Sequence, residues 1–170
     1  MRRPWLPPTL FSALLVGAIV AVSSCGDPTP TGPAPVPSLA TSSGQSGFLL
    51  CKPLAAASAT QTIGPEGGAI KVGPHNLLIP PGALVTSVAI TAIAPTDTVR
   101  RVNFQPEGLV FQVPAVLTMS YASCQTGQSV RIGYTTDALQ ILEYEPSTVF
   151  NPTKTVVAPI GHFSNYALSW

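Results

Sequence analysis

The sequence predicts an all-β chain: an antiparallel β-sandwich of about 8–10 short strands, preceded by a secretory leader and a Pro-rich linker. Three observations carry this. Nineteen Pro and fourteen Gly punctuate 170 residues, which disfavours long helices and favours turns. From Phe48 onward, short β-branched and apolar runs alternate with that punctuation. No stretch sustains the apolar period of 3.6 that an amphipathic helix needs. The expected organisation is a leader over 1–24, a linker over 25–47 and a folded domain over 48–170.

The leader comes first. Arg2 and Arg3 give it a positive start, and Leu10–Val22 is apolar without a charge. Small residues then lead into a cysteine, Val22-Ser23-Ser24-Cys25. The apolar run is short for a bilayer span, which needs about 20 residues. The segment resembles the bacterial lipobox, departing from it in having Val22 where Leu is commonest. The resemblance implies cleavage before Cys25 and acylation of its thiol with diacylglycerol. A soluble secreted product with an incidental Cys25 is the alternative. Two or three acyl chains would hold the chain to a membrane firmly, since each buried methylene contributes about 0.8 kcal/mol.

Removing that leader takes Arg2 and Arg3 with it, leaving six basic against seven acidic residues and a net charge of −1. Such a balance does not steer a nucleic acid, and none is expected as a partner. Charged residues make up 9% of the chain against about 25% in an average domain. Ser, Thr, Gln and Asn must therefore cover much of the surface.

The linker carries Pro28, Pro30, Pro33, Pro35 and Pro37, has no aromatic residue, and ends in Ser and Gly. Its prolines favour extended, polyproline-like backbone. It has too little apolar surface to offset the entropy of ordering, so it reads as a spacer.

Strands are expected at 48–52, 69–72, 76–79, 86–94, 115–121, 129–135, 139–144, 154–158 and 163–169. The clearest period-two patterns are Val88 to Ile93, and Val116, Thr118 and Ser120 set against Leu117, Met119 and Tyr121. Gly67-Gly68 allows a tight turn into the second of these runs. Pro80-Pro81-Gly82 ends the third, because proline cannot donate to a ladder. Gly108 allows a turn between Phe104 and Phe111, whose rings are expected in the core.

Two further cysteines, Cys51 and Cys124, are expected to pair outside the cytoplasm. The bond would pin the first run to the sheet; two buried free thiols are the alternative. No paired Cys/His spacing of the kind that holds zinc occurs, and neither a metal nor a cofactor is expected.

Gly64-Pro65-Glu66-Gly67-Gly68 is followed by Leu77-Leu78-Ile79-Pro80-Pro81-Gly82-Ala83-Leu84. Gln105-Pro106-Glu107-Gly108-Leu109-Val110-Phe111 and Pro114-Ala115-Val116-Leu117 come next. Together these segments resemble the ZU-five domain, a β-sandwich shared by zonula occludens protein, netrin receptors and ankyrins. The likeness covers residues 61–121; 161–168 resembles the end of some family members, and 122–160 matches in pattern only. It implies a recognition or packing module.

The family also directs attention to His162-Phe163-Ser164. Some relatives cut themselves at Phe-Ser in this motif. By resemblance, Ser164 Oγ would attack the Phe163 carbonyl, with His162 as general base or proton donor to the amine. The plainer alternative makes Phe163, Tyr166 and Leu168 packing residues of the last strand, with His162 in a turn.

Other constellations suggest no enzyme. His75 has no Cys or carboxylate neighbour in sequence, Arg100-Arg101 reads as a short loop charge, and Glu143 and Glu145 as a solvated strand face. The expected function is a non-enzymatic, membrane-anchored envelope lipoprotein that binds an envelope protein or glycan through its sandwich. Self-processing at Phe163-Ser164 is the alternative.

Overall fold

A computed structural model describes residues 47–127 and 129–170. The leader over 1–24, Cys25 and linker residues 26–46 lie outside the described residues.

The described chain forms eleven strands in two antiparallel sheets, with no helix among the described residues. They are β1 (Ala57–Ile63), β2 (Gly68–Val72), β3 (His75–Ile79), β4 (Val88–Ala94), β5 (Arg101–Gln105) and β6 (Val110–Ser120). Then follow β7 (Arg131–Thr135), β8 (Ile141–Tyr144), β9 (Thr148–Phe150), β10 (Thr155–His162) and β11 (Asn165–Ser169). The first sheet runs β1-β4-β5-β11-β7-β8 and the second β2-β3-β6-β10-β9. This is the all-β sandwich the sequence predicts.

Alternation sets the faces. In β4, Ile90, Ala92 and Ala94 are buried while Ala89 and Ile93 face out. In β6, Ala115, Leu117 and Met119 enter the core, and Val116, Thr118 and Ser120 face the other way. Phe104, Phe111, Phe163 and Tyr166 fill the space between the sheets. Each such side chain withdrawn from water stabilises the fold by roughly 1.5–3 kcal/mol before entropy is counted. Pro159 is tolerated inside β10 because β9 pairs only with Thr155–Val157. Beyond that point β10 is an edge, where a missing N–H costs no ladder bond.

Four expectations need correction. Residues 48–52 are not a strand but three isolated bridges, Phe48 to Ser169, Leu50 to Val99 and Cys51 to Cys124. The segment crosses the end of the sandwich and meets several partners in turn, so no ladder builds up. β1, β5 and β9 were not expected as strands. β1 presents only Ala57, Ala59 and Ile63 to the core side, too small an apolar signal to stand out. His162 is the last residue of β10 and not a turn residue. Arg100-Arg101 is not a loop charge: Arg101 opens β5, and Arg100 is buried just before it.

The turns follow the glycines. Gly67 and Gly82 have φ of +76° and +78°, a region that penalises a Cβ. Gly67 N–H donates to Gly64 O at 3.0 Å, and Gly82 N–H to Pro65 O at 2.8 Å. The second bond ties the Gly64–Gly68 turn to the Pro80–Leu84 turn, and Ala83 and Leu84 are buried beneath them.

Candidate functional site

The richest candidate is the corner where β10 turns into β11. Phe163 is enclosed on every side. Its ring stacks on Phe104 at 5.1 Å and meets Phe111 edge-on at 5.0 Å. Its N–H donates to Leu109 O at 2.7 Å, and its carbonyl accepts from Gly108 N–H at 3.0 Å. Ser164 O accepts from Phe104 N–H at 3.1 Å. The 105–109 loop therefore clasps the Phe163-Ser164 peptide. Gly108 makes that loop turn, with φ of +78°.

The neighbouring side chains face different ways. The His162 ring lies edge-on to Tyr134 at 4.8 Å. Tyr166 Oη donates to His162 O at 2.7 Å, and burial raises the Tyr166 phenol far above its ordinary value. Ser164 is buried. Phe163 and Ser164 are not among the non-glycine residues of positive φ, which are Leu139 and Lys154. Among the described residues, no hydrogen bond joins the His162 imidazole to Ser164 Oγ. The corner thus brings His162, Phe163 and Ser164 into one chain reversal, with a donor on the Phe163 carbonyl and the imidazole engaged by an aromatic ring.

At the other end of the molecule, Cys51 and Cys124 form a disulfide. Lys52 N–H donates to Ser123 O at 2.9 Å, and Gln125 N–H to Leu50 O at 2.8 Å. These bonds flank the disulfide and fasten residues 50–52 to the 123–125 loop. His75 lies close by in β3. It is 1% exposed, and its Nδ1 accepts from Ser120 N–H at 3.2 Å. Burial, reinforced by the charge of Arg100, lowers its pKa to about 4, so the ring is neutral at pH 7. Arg100 is 6% exposed, and its Nη2 donates to Lys52 O at 3.0 Å. Burial also pulls Arg100 below the ordinary arginine value.

Sequence reasoning missed that His75 and Arg100 share this buried end. The signal for the burial of each is present, though not for their meeting. His75 has the parity of Leu77 and Ile79, and Arg100 that of Val102 and Phe104, all four of them buried. Period two places both polar residues at the ends of inward rows. Glu143 is exposed, as expected; Glu145 is partly buried, and burial and Glu143 raise its pKa. Among the described residues no group of three or more His, Cys, Asp or Glu is placed to hold a metal. Cys25 lies outside the described residues.

No protein-family model matches this chain, and no curated protein matches it.

Proposed function

We propose that this protein is an envelope lipoprotein, held to a bacterial membrane by lipid on Cys25, whose sandwich serves as a ZU-five-like interaction module. One observation supports an interaction role above the rest. Ala69, Leu78, Val116 and Pro159 are directly paired across β2, β3, β6 and β10. They form an apolar row on the outer face of the second sheet, where Leu78 is 49% exposed. Contiguous apolar surface facing water marks a contact site where the patch is large enough.

The test is photo-crosslinking in the native envelope with the full-length protein. A crosslinker at Leu78 is expected to capture a defined envelope component, one at Thr91 on the other sheet to capture none, and Val116→Asp to abolish the adduct. Equal labelling from both sheets would remove the proposal. Lipidation is tested separately: an alkyne fatty acid should label the wild type and leave Cys25→Ala unlabelled.

A second reading has one observation in its favour, the Gly108 N–H on the Phe163 carbonyl. Such a donor would stabilise charge developing on that oxygen. Ser164 Oγ would add to the Phe163 carbonyl carbon and its C–N bond would break. The Ser164 amine would take up the proton, and water would then open the ester. Intact mass under denaturing conditions decides it: one full-length species after leader removal excludes cleavage.

A further inference from the structure

Among the described residues Arg100 is the one charged side chain that is buried. A buried guanidinium stays charged in proteins and needs compensation. The one ion pair among the described residues joins Arg101 to Asp97, at 3.1 Å. Arg100 has no carboxylate there. One of its five donor hydrogens is satisfied by Lys52 O. Its Nε is buried without any hydrogen-bond partner.

Arg100 also lines a cavity. The space is an open hollow of about 180 Å³ lined by Leu54, Pro74, Arg100, Ser120, Ala122 and Ser123, of which only Arg100 is buried. At ~30 Å³ per water this is the volume of roughly six waters. Leu54, Pro74 and Ala122 make part of the wall apolar, while Ser120 Oγ is already engaged by Lys154 O and Ala122 N–H. Nε is sealed from solvent, so the hydrogens of the outer guanidinium nitrogens not taken by Lys52 O are the ones left to meet a carboxylate. Apolar walls match a short aliphatic stem behind it. His75, whose Nδ1 holds Ser120 N–H, fixes the backbone of β6 at the rim and is itself kept neutral.

We infer that this cavity is a binding site for a small aliphatic carboxylate, whose anionic head pairs with Arg100 and whose stem rests on Leu54, Pro74 and Ala122. The site lies beside the Cys51–Cys124 disulfide, through Ser123 and the Lys52 carbonyl, and is independent of the apolar row proposed above for partner binding. The carboxylate comes either as a free acid or as a glutamate side chain of another protein; both present the same chemistry.

Isothermal titration of the full-length protein in detergent with sodium butyrate tests the inference. One saturable site is expected. Arg100→Met should weaken it at least tenfold. Because that change also removes the bond to Lys52 O, Ala122→Trp serves as a second variant. Ala122 is exposed on the rim, so the indole should fill the cavity and weaken butyrate tenfold with Arg100 intact. A capped Gly-Glu-Gly peptide run in parallel separates the sources. Tighter butyrate supports a free acid, and a tighter peptide supports an acidic side chain. The inference is overturned if butyrate shows no saturable binding, if neither variant weakens it, or if inorganic phosphate binds more tightly than either carboxylate.

Discussion

Buried polar residues test the fold most sharply, because each has one arrangement that satisfies it. His75 has a folded pKa of about 4 against an ordinary 6.5. The folded state therefore binds fewer protons than the unfolded one between those values. Its contribution is fully present above pH 6.5 and is lost as pH falls towards 4. The loss amounts to about 3 kcal/mol at 1.36 kcal/mol per unit. Urea midpoints should fall steeply from pH 7 to pH 4.5 in the wild type. His75→Asn keeps an acceptor for Ser120 N–H and removes the titration, so its midpoints should flatten over that range. Tyr166→Phe deletes the 2.7 Å bond to His162 O and should cost about 1 kcal/mol in the same assay.

At the level of single elements, turns and the disulfide carry the predictions. A Cβ on Gly67 would sit 2.5 Å from Ile79 O, whereas one on Gly82 meets nothing within 4 Å. Both glycines have positive φ, so either alanine pays about 1–2 kcal/mol for the left-handed backbone. Only Gly67→Ala must also move the carbonyl that ends β3. It should lower thermal stability well beyond Gly82→Ala; equal losses would contradict the packing described. The Cys51–Cys124 bond closes a separation of 73 residues. The chain-entropy relation gives about 4 kcal/mol for a loop of this length. Cys51→Ala with Cys124→Ala should lose a comparable amount by chemical denaturation. The loss should be insensitive to reductant, unlike that of the wild type.

Across the whole molecule, the two sheets are locked together by aromatic packing around Phe163. Phe104 and Phe163 lie on the first-sheet side and at the β10–β11 corner, and Phe111 comes from β6 of the second sheet. Phe163→Ala should leave a cavity costing roughly 3–5 kcal/mol, read as an early global unfolding transition and not as local fraying. Ser164→Ala should be tolerated much better, because the backbone carbonyl, not the hydroxyl, bonds to Phe104 N–H. A larger loss from Ser164→Ala than from Phe163→Ala would contradict this description of the corner.

Period two in the chain determined the β class and the alternation within β4 and β6, and the aromatic rings flanking Gly108 pointed Phe104 and Phe111 to the core. Glycine and proline determined where the turns at Gly67, Gly82 and Gly108 fall. These are local properties, set by sterics within a few residues. The pairing partners were not legible, because a ladder joins residues far apart in the chain and accepts many sequences at its edges. So β1, β5 and β9 escaped notice, and 48–52 proved to be a set of bridges. The cysteine pairing was expected from redox chemistry, but its place beside Arg100 was not. Only the tertiary structure decided that a histidine and an arginine, each at the end of an inward row, meet at one buried end where no described carboxylate balances the arginine. That outcome depends on which strand ends the sandwich brings together, and nothing in either short stretch of sequence encodes it.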